Sequence, residues 1–598
     1  MSVGVPGEQA RDFRSASRRL LARLRQDRIG LGAVVLLAIV GVSLTVVGPR
    51  ILGRATDIVI EGVVSPGGID FGELHLVLLG LLALFAVSSL LTYSSAYLMA
   101  GIIQRTMHGL RADVEDKLNR LPLSYIDRHS RGDLLSRVTN DIDNIAQSLQ
   151  QTLNQLLNQG LQLTGVMIMM LTISPLLALV AIVSVPISIL TMRTIAKRSK
   201  SRFVSQWTHT GLLNSQVEEA FTGHAIVKAF GRQREVEERF RLTNDDLYRS
   251  SFSAQFFAGV IQPAMMFLGN LNWVVIAVVG GLRVTSGAMT VGEVQAFLQY
   301  TRQFAMPLTA MASMFNVLQS GVASAERVFD LLDAEEQKPD DDAEPLEGVP
   351  RGRVEFEHVS FSYDPDKPLI TDLSLVAESG QTIAIVGPTG AGKTTLVNLI
   401  MRFYELDSGR ITIDGRDIAT MRRRDLRSHI GMVLQDTWLF GGTIRDNIAY
   451  GNPDATEEQI LEAARATYVD RFVHSLPDGY DTVIDDEGTS LSAGEKQLLT
   501  IARAFLADPA ILILDEATSS VDTRTEVLIQ KAMAALRAQR TSFVIAHRLS
   551  TIRDADVILV VENGQIVEQG DHAELLAKGG AYARLYNAQF AAAATEVA

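Results

Sequence analysis

The sequence predicts an α-helical membrane domain of six spans followed by an α/β domain on a mainly parallel core sheet that carries a phosphate-binding loop. Three observations predict it. Six long apolar segments occupy the first half of the 598-residue chain. Short strand-like apolar runs alternate with helical ones in the second half, and two glycines stand at phosphate-loop spacing behind one of those runs. A charged, proline-bearing, non-periodic stretch separates the halves. Composition agrees: 47% hydrophobic residues and a mean hydropathy of +0.16 are high for a soluble chain, so the net charge of −13 must be concentrated outside the spans. The absence of cysteine excludes disulfides, thiol catalysis and cysteine-based metal sites. Net negative charge argues against nucleic acid as a partner.

Residues 1–28 open the chain with Arg at 11, 14, 18, 19, 23, 25 and 28 around Phe13, Leu20, Leu21 and Leu24. This is the pattern of a basic amphipathic helix suited to an anionic membrane face. A signal peptide is the rival reading, but the apolar run that follows is long and lacks a small-residue cleavage site. The membrane domain, 29–333, has expected spans at Ile29 to Ile60, Leu74 to Ile103, Leu153 to Ser174, Pro175 to Ile195, Phe252 to Thr285 and Val291 to Val317. Each provides the ~20 residues a bilayer needs. Glu61 to His75 holds no Lys or Arg and the third link is a bare turn at Ser174-Pro175, whereas Gln104 to Gln150 and Arg193 to Ser250 are long and basic. The positive-inside rule places the long links, both termini and the second domain in the cytoplasm of a multi-pass protein of the cell membrane. These links read as span helices continued beyond the bilayer, each reversing once, at Pro122 to Asp133 and at Glu219 to Val227.

Residues 334–353 form the linker, 354–590 the α/β domain and 591–598 an Ala-rich tail. Strands are expected at Val354 to Phe356, Thr382 to Val386, Arg410 to Ile413, Ile430 to Leu434, Ile511 to Leu514, Ser542 to Ala546 and Val557 to Val561. Behind the second of them come Gly387, Pro388, Thr389, Gly390, Ala391, Gly392, Lys393, Thr394 and Thr395, then a helix reaching Phe403. Two glycines at this spacing followed by Gly-Lys-Thr, between a strand and a helix, present backbone N–H groups to phosphates at a helix N-terminus. Lys393 is placed for the β- and γ-phosphates of ATP and Thr394 for Mg²⁺. The buried strand Ile511 to Leu514 delivers Asp515 and Glu516 to its carboxyl end. Asp515 there supports Mg²⁺ through water, and Glu516 polarises the attacking water.

With these residues in place the chain resembles an ABC half-transporter of the type IV exporter class, over nearly its whole length. Leu491-Ser492-Ala493-Gly494-Glu495-Lys496-Gln497 is similar to the family's signature sequence, its most specific marker. The resemblance implies a Q-loop at Gln435 that ligates Mg²⁺ together with Thr394 and Asp515 and senses the γ-phosphate. It implies an adenine-stacking aromatic at Tyr363, a D-loop at Ser519 to Asp522 and a switch histidine at His547. It also implies that Ser492 and Gly494 cap the ATP held by a second subunit, so that ATP joins two nucleotide domains and hydrolysis parts them. The turns at 122–133 and 219–227 correspond to coupling helices.

Two departures carry information. Ala493 and Glu495 replace Gly and Gln of the common signature, and Asp485 to Gly488 replaces the usual Gly-Glu-Arg-Gly. Such a signature resembles that of the intact-site subunit of heterodimeric exporters, which implies a partner with a degenerate site. The implied function is ATP-driven translocation of hydrophobic or amphipathic molecules, drugs or lipids, in the direction of export. A lipid or fatty-acid importer on the same fold remains the alternative, and Glu516 with His547 disfavours an ATP-gated channel. Within the spans, Asn154, Asn158 and Gln162, then Asn270, Asn272 and Trp273, then Gln299, Arg302 and Gln303 should face the bundle interior. Arg302 suits the head group of an anionic amphiphile, while helix-to-helix bonding is an equal reading for all of these residues.

Overall fold

The computed structural model describes residues 11–340, 348, 350–435, 437–484, 491–515, 523–546 and 549–589; within them the side chains of 305–313, 315, 316, 523, 550 and 589 are outside the description. The chain divides into two compact units, one comprising Met1–Asn119 and Arg131–Ala334, the other Arg120–Ser130 and Glu335–Ala598. The short segment 120–130 therefore folds with the α/β unit although its sequence neighbours do not.

The first unit is helical. Helix α1 (Phe13–Leu24) leads through a turn into α2 (Arg28–Val64), which is followed by α3 (Phe71–Arg120). After α4 (Leu123–Arg128), which belongs to the other unit, come α5 (Arg131–Ser136), α6 (Ile142–Ile173), α7 (Pro175–Thr222), α8 (His224–Ala229), α9 (Gln233–Thr285) and α10 (Val291–Asp333). Local chemistry sets the breaks. Ser174 caps α7 and Pro175 occupies its first position, where a missing N–H costs nothing. Thr290 and Glu293 form a reciprocal capping box on α10. Among the described residues, five helices are long and apolar enough to cross a membrane; the expected sixth span is the 43-residue α10. The long links continue the span helices, as their lack of breakers predicts, and short helices α4 and α8 stand at the two reversals.

Helix α10 packs on α1, α2 and α6, and α7 pairs with α9. At the α2–α10 crossing a Cβ added to Gly292 would lie 2.0 Å from the Gly53 carbonyl oxygen, so the two backbones are in direct contact. Asp57 closes this seam by accepting from Thr290 Oγ1 (2.7 Å) and Gly292 N (2.7 Å). At the other end, Asn144 Nδ2 donates to Ser324 Oγ (2.8 Å) and Arg327 forms a two-pronged ion pair with the buried Asp141. The helix α1 corrects the membrane-surface reading in part. Its apolar face, Ala16, Leu20 and Leu24, is buried in the protein, where Arg19 stacks 4.3 Å over Phe329 and pairs with Asp333. Arg14, Arg18 and Arg25 stay exposed.

In the second unit, β1 (Val354–Phe361), β2 (Ile370–Ala377), β4 (Ser408–Ile413) and β5 (Arg416–Asp417) make an antiparallel sheet in the order β2-β1-β4-β5. A six-stranded sheet is built from β3 (Thr382–Val386), β6 (Ile430–Val433), β9 (Ile511–Asp515), β10 (Thr541–Ile545), β11 (Val557–Glu562) and β12 (Gln565–Gly570) in the order β12-β11-β3-β10-β9-β6. Its central strands run parallel and only β12 is antiparallel. Alternation places Ile383 and Ile385 in one core, and Ala384 and Val386 in the other, on opposite faces of β3. Helix α11 (Lys393–Ile400) follows β3, and α12 (Arg423–Ser428) precedes β6. The far face carries the two-residue strands β7 (Gly442–Thr443) and β8 (Val483–Ile484) with helices α13 (Ile444–Ala449), α14 (Glu457–Ala466), α15 (Val469–Val473) and α16 (Ala493–Leu506).

The first residues of the linker are organised rather than free. The nearly buried Arg423 donates to the Lys338 carbonyl (2.8 Å) and pairs with Asp340 and Glu405, while Gln337 bonds through its N–H to the Arg120 carbonyl (2.9 Å) and through Nε2 to that of Leu121.

Candidate nucleotide site

The parallel strands set the site. β3, β6, β9 and β10 end on the same edge, so the phosphate loop after β3, Gln435 after β6 and Asp515 at the end of β9 gather there. Gly392 has φ of +98° at the N-cap of α11, a left-handed conformation that glycine adopts without the Cβ clash. A Cβ on Gly387 would meet the Val561 carbonyl oxygen at 2.1 Å, so the loop is packed against β11. Pro388, Thr389 and Gly390 are exposed, Ala391 is buried, and Thr394, in the first turn of α11, is exposed.

Lys393 Nζ donates to the carbonyls of Gly387 (2.9 Å) and Pro388 (3.0 Å), which holds the ammonium across the loop. Burial lowers its pKa and the charge of Asp515 opposes that shift, which places the two groups in one electrostatic site. The hydroxyl of Thr394, the carboxylate of Asp515 and the exposed side chain of Gln435 are all oxygen donors, the set that a hard cation takes.

Tyr363 follows β1 and is 39% exposed. Its hydroxyl bonds to Thr395 Oγ1 (3.3 Å), which ties it to the phosphate-loop helix, and its ring meets Phe361 and Tyr404 edge-on at 4.9 and 5.0 Å. Sequence patterning missed Tyr404, Asp127 and Arg128. The Tyr404 hydroxyl donates to the Asp127 carboxylate, and Arg128 Nη2 donates to the Tyr363 carbonyl at 2.9 Å. Burial and the neighbouring carboxylate push the Tyr404 phenol pKa up, so it stays a neutral donor. No local signal marks these contacts, since Asp127 and Tyr404 are 277 residues apart.

The signature residues lie at the start of α16. Ser492 is the N-cap, with its Oγ accepting from Glu495 N (3.3 Å), while Glu495 Oε2 accepts from Ser492 N (2.8 Å) and from its hydroxyl (2.7 Å). Ser492 is exposed and Gly494 buried. No hydrogen bond joins this turn to the phosphate loop among the described residues. Glu516, Asp522 and His547 lie outside the described residues, as does Asp485 to Gly488.

The family description "ABC transporter transmembrane region" matches residues 31–308, and "ABC transporter" matches residues 370–519. The chain is 54% identical, over 98% of both chains, to a protein of Mycobacterium bovis described as a fatty acid ABC transporter ATP-binding/permease protein. It belongs to the ABC transporter family. This transporter is also 37% identical to the ATP-dependent lipid A-core flippase of Syntrophus aciditrophicus, over 86% of this chain and 85% of that one. Among solved structures, a bacterial Atm1-family ABC exporter with ATP bound superposes with a TM-score of 0.72 at 30% identity, covering 94% of this chain and 98% of that one. The transporter thus pairs a helical membrane region with an ATP-binding domain that hydrolyses ATP.

Proposed function

We propose that this transporter uses ATP to move a fatty-acyl or related amphipathic lipid across the cell membrane, in the export direction, as one half of a dimer. The observation that carries the reading is the split site: phosphate loop, Gln435 and Asp515 share one sheet edge, whereas Ser492 and Gly494 stand on a separate helix with no bond to them among the described residues. A second nucleotide domain is needed to bring a signature turn onto each ATP. In this reading Lys393 and Gln435 hold the γ-phosphate with His547, Tyr363 stacks on adenine, Asp522 contributes through the D-loop, and Glu516 orients the attacking water. Thr394, Gln435 and Asp515 would hold Mg²⁺, which would supply charge neutralisation for the phosphates.

The second intracellular reversal supports the dimer. Phe221, Ile226 and Phe230 at and around α8 are 84, 64 and 76% exposed, and burying each against a partner's nucleotide domain contributes roughly 1.5–3 kcal/mol. Ala493 and Glu495 motivate a partner of different sequence. A purified single chain that both hydrolyses ATP and transports would refute that pairing.

The lipid reading is supported by the 54% identical fatty acid transporter and by Arg302. Arg302 lies 11 residues into α10, about 16 Å from its outer end, exposed and without an ion-pair or hydrogen-bond partner among the described residues. An unpaired cation at that depth fits a carboxylate or phosphate head group. Arg302→Ala is expected to abolish stimulation of ATPase by long-chain fatty acids in proteoliposomes while basal ATPase persists; unchanged stimulation would remove Arg302 from the substrate path. In inside-out vesicles, export predicts ATP-dependent accumulation of labelled lipid inside, and import predicts its loss.

A further inference from the structure

The first reversal does more than rest on the nucleotide unit: it holds the loop on which the nucleotide base would lie. Asp127 and Arg128 are consecutive at the end of α4 and reach two members of one aromatic trio by different routes. Arg128 bonds the backbone of Tyr363, and Asp127 bonds the ring hydroxyl of Tyr404. The rings are mutually edge-on, with Tyr404 at 5.5 Å from Phe361 and 5.0 Å from Tyr363. Phe361 is anchored in the sheet at 3% exposure, while Tyr363 stands beyond the end of β1. The position of the Tyr363 ring is therefore set by Phe361 behind it, Tyr404 beside it, Thr395 at its hydroxyl and Arg128 at its carbonyl. The linker fixes α4 in turn, through the two Gln337 bonds to Arg120 and Leu121 and the Arg120–Glu336 ion pair. A cleft of about 520 Å³ opens between α4, the linker and the trio, so the Tyr363 loop is not packed rigid on that side.

We propose that Arg128 is a positioning residue for base recognition: its bond to the Tyr363 carbonyl holds the aromatic platform in stacking geometry, and thereby links purine binding to the first intracellular reversal. The inference rests on the reading of Tyr363 as the adenine platform. Phosphate contacts are common to every nucleoside triphosphate, but ring stacking is greater for a purine than for a pyrimidine. Loss of the platform geometry therefore weakens ATP selectively. Because the carbonyl bond is a single exposed hydrogen bond that acts on the base only through Tyr363, the expected loss is about three- to tenfold.

The test is equilibrium binding of ATP and of UTP to the full-length chain in lipid nanodiscs, read by displacement of a fluorescent nucleotide. Arg128→Ala is expected to weaken ATP binding about three- to tenfold and to leave UTP binding within about twofold, and Arg128→Lys, which keeps one donor, is expected to recover part of the preference. Tyr404→Phe, which keeps the ring and loses the bond to Asp127, should fall between wild type and Arg128→Ala. Tyr363→Ala serves as the reference. If it erases the ATP preference while Arg128→Ala does not, the positioning role is overturned and the platform stands. If it leaves the preference intact, the platform reading itself is overturned. Equal weakening of ATP and UTP in Arg128→Ala would show a general structural role and also overturn the proposal.

Discussion

At Ser492 the hydroxyl that would face a partner's nucleotide is engaged with its own helix, donating to Glu495 Oε2 at 2.7 Å. The Glu495 carboxylate closes a capping box that stabilises α16, yet it sets a negative charge on the turn that would meet a γ-phosphate. Glu495→Gln keeps the capping geometry and removes the charge. We expect it to strengthen ATP-induced closure by about 1 kcal/mol, seen as a lower ATP concentration for half-maximal closure between spin labels on the two nucleotide domains. Lys393 gives a pH dependence of known sign. Its pKa is lowered by burial, so the ammonium is lost at a lower pH than for an ordinary lysine, and a bound triphosphate favours the charged form. ATP affinity should therefore fall as the pH rises through the depressed pKa of Lys393. Lys393→Arg, which stays charged, should flatten that fall in a titration of nucleotide affinity from neutral to alkaline pH.

Among the elements, α10 is the one that holds the helical unit together, through α1, α2 and α6. Its closest approach is the Gly53–Gly292 contact, which a methyl group cannot enter without moving backbone. Gly292→Ala should cost about 1–3 kcal/mol by overpacking, measured as a lower midpoint of thermal unfolding in lipid nanodiscs, whereas Gly32→Ala, where an added Cβ meets nothing within 4 Å, should not. The spans and the phosphate loop were legible in the sequence because their signals are local: about 20 apolar residues in a row, or glycines at fixed spacing before Lys393. The parallel sheet was legible for the same reason, through runs such as Ile511 to Leu514. The antiparallel strand β2 was not, since Ile370–Ala377 mixes apolar and polar residues and its burial pattern alternates only from Asp372 on. The docking of α4 and the ordering of the linker were also hidden. They depend on the pairing of Asp127 with Tyr404 and of Asp340 with Arg423, residues far apart in the chain. The N-terminal helix kept its expected amphipathic character, but its apolar face found α10 instead of lipid.

For the whole molecule, the sequence order of membrane region and ATP-binding domain is that of the ABC transporter family, and segment 120–130, which lies between two helices of the membrane unit in sequence, folds with the nucleotide unit. Glu516 is the residue on which the cycle is expected to turn, because ATP binding and ATP breakdown separate there: Glu516→Gln should bind ATP, close, and fail to reset. The most direct test is ATP-dependent movement of a labelled long-chain fatty acid in proteoliposomes holding the assembled transporter, wild type against Glu516→Gln. Movement is expected to require ATP in the wild type and to be reduced at least about a hundredfold in the variant, in line with loss of general-base catalysis. Equal movement in the variant, or movement without ATP, would contradict the proposed function.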